Sequence, residues 1–254
     1  MQLNYKVLGE GKPLIIMHGI FGLMDNWMGL SKVLSQNYKV YLLDLRNHGR
    51  SPHSDEFDYE AMSQDLRKFM EEHSIENPHI IGHSMGGKVA MYFAGRFQPE
   101  LFDKMVIVDI APKYYPVHHR SILDALQSID LQSLQSRTQA DEVLARSIPE
   151  MDVRQFLLKN LYRKDEGGFG WRFNLNILNQ EIENVGEGLP EHFYSERPFL
   201  FIRGGLSHYI KDGDMDLILK HFPNARLETV AGAGHWVHAE KPEELLTLVQ
   251  DFIR

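Results

Sequence analysis

Gly82-His83-Ser84-Met85-Gly86 is the segment of this chain best suited to covalent chemistry. It follows the strand-like His79-Ile80-Ile81 and precedes a helix-like stretch from Lys88 to Phe97. A serine on a sharp strand-to-helix turn presents its hydroxyl to solvent, and small flanking residues let the backbone close around it. Ser84 is therefore a candidate nucleophile, provided that a base and oxyanion donors converge on it. His18-Gly19-Ile20-Phe21-Gly22 ends the strand-like Leu14 to Met17 and can offer one backbone N–H, while the residue after the nucleophile offers another. This assigns the donors to Ile20 and Met85; Phe21 is the less suited donor, and its ring is expected to line an acyl pocket. Gly232-Ala233-Gly234-His235-Trp236 follows the strand-like Leu227 to Val230 near the C-terminus. A histidine there can lean over the C-terminal edge of a sheet and act as general base to Ser84. His238 competes for that role, but its position before Ala239-Glu240-Lys241-Pro242 reads as a helix start.

Other chemistries lack their residues. The absence of cysteine removes disulfides, zinc–thiolate sites and a cysteine nucleophile. Neither His118-His119 nor the pair His235 and His238 sits in an H-E-x-x-H pattern or beside a third ligand, so no metal site is expected. Lys88 is followed by Val89, which rules out a phosphate-binding P-loop, and cofactor-free chemistry is expected. A formal net charge of -8 disfavours nucleic acid as a partner. No apolar stretch approaches the roughly 20 residues of a membrane span. The opening Met1-Gln2-Leu3-Asn4-Tyr5-Lys6 lacks the pattern of a secretory signal, so a cytoplasmic location is expected.

The elements that must position these residues are legible as short apolar runs. Leu14 to Met17, Val40 to Leu43, His79 to Ile81, Met105 to Val108, Phe199 to Ile202 and Leu227 to Val230 read as buried strands alternating with helical patterns. That alternation predicts a mostly parallel, doubly wound α/β sheet covered by helices on both faces. Leu3 to Leu8 alternates loosely and suits an antiparallel edge strand. From Pro112 to about Glu196 the rhythm breaks into helix-like stretches with no convincing buried strand. Ile122, Leu123, Leu126 and Ile129 share one face, as do Val153, Phe156, Leu157 and Leu161, with Asp152 a candidate N-cap. The expected organisation is a core of residues 1–111 and 197–254 carrying a helical cap of residues 112–196. Apolar cap faces need a partner and should wall the site, with Phe21, Trp171 and Phe173 as candidate lining residues.

Taken in order, His18-Gly19-Ile20-Phe21-Gly22, Asp44-Leu45-Arg46-Asn47-His48-Gly49-Arg50-Ser51, Gly82 to Gly87 and Gly232 to Trp236 make the chain resemble the α/β-hydrolase superfamily over its whole length. Asn47, Gly86-Gly87-Lys88 and Val108-Asp109-Ile110-Ala111-Pro112 make it similar, more narrowly, to the YbfF-type bacterial esterases and the abhydrolase-domain-11 proteins. That resemblance implies hydrolysis of short-chain esters, with acyl-CoA thioesters as a second class, without metal or organic cofactor. In many superfamily members the triad acid follows the strand before the last, where this chain has Arg203-Gly204-Gly205-Leu206-Ser207 and no aspartate. Asp109 emerges from the strand Met105 to Val108 at the same sheet edge as Ser84 and is the preferred acid; Asp212 and Asp214 compete. The reading is a serine esterase acting through a Ser84 acyl-enzyme. Carbon–carbon bond hydrolysis, perhydrolase activity and a non-catalytic ligand-binding role on the same fold are the alternatives.

Overall fold

The computed structural model describes residues 1–97 and 99–254. Its strands are β1 (Tyr5–Leu8), β2 (Lys12–Met17), β3 (Tyr38–Leu43), β4 (His79–His83), β5 (Met105–Val108), β6 (Leu161–Arg163), β7 (Phe169–Trp171), β8 (Phe199–Gly204) and β9 (Ala225–Val230). Seven of them form one sheet in the order β1-β3-β2-β4-β5-β8-β9. Only β1 runs antiparallel, pairing with β3 at one edge. The other pairings in this sheet are parallel. The apolar runs thus form the doubly wound sheet expected of them, although β9 is a half-exposed edge strand rather than a buried one.

Strand alternation divides the core. Ile15, Ile80, Met105, Ile107, Phe199 and Phe201 face one layer, and Leu14, Ile16, Ile81, Val106, Leu200 and Ile202 face the other. The first layer includes apolar residues of α2 (Tyr59–Glu72) and α3 (Met85–Arg96); the second includes those of α1 (Met28–Leu34). The loops after β2 and β4 leave from neighbouring strands whose chains turn to opposite sides of the sheet. This is the switch point where α/β sheets open a crevice.

Between β5 and β8 lie α4 (Arg120–Gln127), α5 (Arg137–Leu144), α6 (Met151–Leu158), α7 (Leu175–Gln180) and α8 (Ile182–Val185). Contrary to expectation this insertion also holds a two-stranded antiparallel hairpin, β6 with β7. Gly167 and Gly168 turn it with positive φ, and Leu161 belongs to it instead of extending α6. Asp152 is not the cap of α6: it sits inside the first turn, and Glu150 holds the N-cap position. The C-terminal part adds α9 (Met215–His221), α10 (Val237–Glu240) and α11 (Pro242–Ile253). Among the described residues, no helix is long and apolar enough to cross a membrane.

The two ends of the insertion are tied to each other and to α3. The Tyr115 N–H donates to Gly186 O at 2.8 Å and the Leu189 N–H to Pro112 O at 2.9 Å. The fully buried Lys88 ammonium donates to Lys113 O at 2.6 Å and to Glu187 O. The start of α3 packs so closely on β2 that a Cβ on Gly86 would lie 2.6 Å from His18 O and 2.7 Å from Met17 O. Both are backbone atoms that cannot move aside.

Burial pushes the Lys88 amine down to about 7, so between pH 7 and the usual lysine range near 10.4 the unfolded chain binds the extra proton and stability rises with pH. From pH 7.5 to 9.0 urea unfolding should show a gain of about 2 kcal/mol, and Lys88→Met should lose that slope. Gly86→Ala should destabilise by about 3 kcal/mol or more in the same assay. Gly29→Ala, at an exposed helical position with open space around it, should be neutral or stabilising by up to about 1 kcal/mol.

Candidate active site

Ser84 sits between β4 and α3 with φ 50° and ψ -116°, a backbone region that costs a non-glycine residue of order 1–3 kcal/mol. The turn is held by its neighbours on both sides: the Ser84 N–H donates to Val108 O at 3.0 Å and the Gly86 N–H to His18 O at 3.1 Å. A Cβ on Gly82 would lie 2.3 Å from Gly86 O, which is why the elbow carries glycine at that flank.

His235 and Asp109 continue the line from the hydroxyl. His235 Nε2 lies 3.0 Å from Ser84 Oγ, and His235 Nδ1 lies 2.7 Å from Asp109 Oδ2. If Nδ1 carries the proton it donates to the carboxylate, and Nε2 is free to accept from the serine hydroxyl. Asp109 is fully buried and has φ 53°. Its Oδ1 accepts from the Gly204 N–H at 3.0 Å and its Oδ2 from the Ser207 hydroxyl. Ser207 thus hydrogen-bonds the carboxylate that follows the neighbouring strand β5. Asp212 is exposed and pairs with Arg203 at 2.6 Å, while Asp214 pairs with Lys113. Neither makes a hydrogen bond to His235.

The other histidines near Ser84 have different surroundings. His238 is buried and stacks on Trp27, with ring centroids 4.6 Å apart, and burial, with His235 nearby, pushes it down to about 3. It is fixed as a neutral packing residue. His83 is also held neutral, chiefly by burial, and donates from Nε2 to His235 O at 2.9 Å, anchoring the loop that carries His235.

Ile20 and Met85 stand on the two sides of the elbow, and among the described residues neither N–H has an acceptor. The next N–H along, that of Phe21, donates to His48 Nε2 at 3.2 Å, and Phe21 O accepts from Asn160 Nδ2 at 2.7 Å. Phe21, at φ 57°, is therefore fixed from both ends and has no donor to spare. Burial pushes His48 down to about 3, so its ring is neutral and Nε2 can accept. The loop after β3 supports this arrangement. Asp44 accepts from Asn4 Nδ2 at 2.7 Å, from the Met24 N–H at 2.8 Å and from the Arg50 N–H at 2.9 Å. His18 Nε2 accepts from the Leu45 N–H at 3.1 Å.

A cavity of about 190 Å³ opens over Ser84. Phe21 lines it, but Trp171 and Phe173 do not. They stack on each other 5.2 Å apart, with Phe173 edge-on to Phe21 of the loop after β2. The apolar wall comes instead from Ile122 of α4 and from Val153, Phe156 and Leu157 of α6, which share helical faces in the sequence. Sequence reasoning missed Tyr209, whose ring stacks 3.9 Å from that of His235 at 15°, and Asn160. An aromatic residue two positions beyond Ser207, on the loop after β8, was the available signal for Tyr209; Asn160 had none.

A family model for the alpha/beta hydrolase fold matches residues 12–145. Esterase YbfF of Escherichia coli is 36% identical across 96% of this chain and 94% of its own. The sn-1-specific diacylglycerol lipase ABHD11 of Danio rerio is 36% identical across 100% of this chain and 83% of its own. A solved structure described as a marine microorganism esterase superposes with a TM-score of 0.96 at 40% identity, covering 99% of both chains. With the matched model reaching across the elbow and with relatives aligned along nearly the whole sequence, the chain belongs to the α/β-hydrolase family.

Proposed function

We propose that this protein is a serine esterase that hydrolyses carboxylic esters in two steps through an acyl-enzyme on Ser84. The reading rests most on one observation: the hydroxyl of Ser84, the ring of His235 and the carboxylate of Asp109 lie in line at 3.0 and 2.7 Å. The esterase and lipase names of its relatives point to the same bond type. The apolar cavity above Ser84 suits an organic ester.

In the first step His235 Nε2 takes the Ser84 proton as the oxygen attacks the ester carbonyl carbon. Negative charge then develops on the carbonyl oxygen, where the N–H groups of Ile20 and Met85 stabilise it. Collapse of the tetrahedral species breaks the bond to the alcohol, which leaves with the proton held on His235. Water repeats the sequence on the acyl-enzyme, with His235 as base, and releases the carboxylic acid and free Ser84. Asp109 holds the imidazole in the tautomer that leaves Nε2 open and stabilises the imidazolium as it forms. Acyl-CoA thioesters would follow the same course with a thiol leaving. Residues 112–196 act as a cap that walls the acyl and alcohol sites.

On a panel of p-nitrophenyl esters and acyl-CoA thioesters, Ser84→Ala should fold normally and lose several orders of magnitude in kcat. Asp109→Asn should lose up to roughly four orders, because the imidazole is left in the wrong tautomer. Asp212→Asn and Asp214→Asn should stay near wild type. Activity in Asp109→Asn with loss in Asp212→Asn would move the acid to the later strand, and wild-type turnover in Ser84→Ala would end the serine-esterase reading.

A further inference from the structure

Two cavities meet at Ser84, and they differ in size and in how their walls are held. The larger, about 190 Å³, is bordered by His235 and Trp236 and by the apolar Ile122, Val153, Phe156 and Leu157. The smaller, about 20 Å³, has room for about one water-sized group. It is bordered by Tyr59, Met85, Ile110, Tyr115, Val117 and Val185. Ser84, Tyr209, His118 and His119 border both. His235 borders only the larger.

The walls of the smaller cavity are cross-braced. The Tyr59 hydroxyl donates to Val185 O at 2.7 Å. The Tyr115 hydroxyl donates to Tyr209 O at 2.7 Å and accepts from the Ala111 N–H at 2.9 Å. Lys88 holds Lys113 O and Glu187 O, immediately before and after the segments that carry Tyr115 and Val185. Widening this space would break buried hydrogen bonds. The larger cavity is walled by side chains, of which Ile122, Val153 and Phe156 are only partly buried and can change rotamer.

The chemistry assigns the two sides of an ester to the two cavities. The alcohol oxygen must receive its proton from His235 Nε2, so the alcohol chain starts beside His235 and extends into the larger cavity. The carbonyl oxygen turns to the N–H groups of Ile20, which borders the larger cavity, and Met85, which borders the smaller; with the alcohol beside His235, the acyl chain is left the smaller one. We infer that the site is selective for esters of acetyl-sized acyl groups with long apolar alcohols, a specificity that rests on the serine-esterase reading.

Hexyl acetate and ethyl hexanoate test this directly. They are isomers with similar leaving groups and similar overall hydrophobicity, so the ratio of their kcat/KM values reports which side of the carbonyl may carry length. Hexyl acetate should be favoured by at least about tenfold, since even one misplaced methylene can cost that much. Val117→Ala and Val185→Ala, which enlarge the smaller cavity, should each lower the ratio at least about threefold. A wild-type ratio of one or less, or a ratio that neither substitution moves, overturns the inference while leaving ester hydrolysis at Ser84 standing. No turnover of either isomer, or of p-nitrophenyl acetate, overturns the esterase reading and this inference with it.

Discussion

The backbone of Ser84 is the constraint on which the rest of the site depends. At φ 50° and ψ -116° the residue adopts a conformation it would not hold alone, and the surrounding backbone must impose it. That requirement explains the flanking glycines, the close seating of the start of α3 on the end of β2, and the hydrogen bonds from Ser84 to β5 and from Gly86 to His18. The same closure places Met85 at the first position of α3, with no acceptor for its N–H among the described residues. The two groups that the proposed mechanism uses as nucleophile and oxyanion donor, the Ser84 hydroxyl and the Met85 N–H, thus share one strained turn. Phe21 and Asp109 also have positive φ without being glycine. Strain at this sheet edge is concentrated where side chains and N–H groups must converge.

A second tier keeps the converging groups in place. Asp44, His18 and His48 hold the loop after β2 from behind, through hydrogen bonds that are buried or part-buried. Gly49 belongs to this tier: its φ is 56°, and a Cβ there would lie 2.1 Å from the Asp44 carboxyl carbon. Asn47, at φ 62°, accepts from Ser54 N–H through its side chain and from Asn174 N–H through its backbone, linking the loop after β3 to the insertion. The run from Asp44 to Gly49 therefore makes physical sense as the scaffold of the loop that presents Ile20, although it contributes no atom beside the Ser84 hydroxyl.

Much of this was legible in the sequence because the relevant signals are short-range. A glycine-flanked serine after an apolar run identifies an elbow within five residues, and Gly232 to Trp236 identifies a loop able to carry His235. Asp109 could be singled out because it directly follows a strand destined to lie beside β4. The features that escaped depend on partners far away in sequence. Lys88 looks like any helix lysine until Lys113 and Glu187 close over it, and Asn160 acquires meaning only from Phe21, 139 residues earlier. The hairpin β6–β7 has three residues per strand, too few for an alternating pattern to register. Trp171 and Phe173 stack on each other outside the cavity lining, whereas Ile122 of α4 and the cluster Val153, Phe156 and Leu157 of α6 line it.

Trapping the acyl-enzyme tests the central claim most directly. The protein would be mixed with p-nitrophenyl acetate, quenched in acid during the pre-steady-state burst, digested and mapped by mass spectrometry. The account predicts an acetyl group on Ser84 alone, appearing with the burst of p-nitrophenolate and decaying once substrate is exhausted. Product formation without an adduct on Ser84, or with the adduct on another residue, would contradict it.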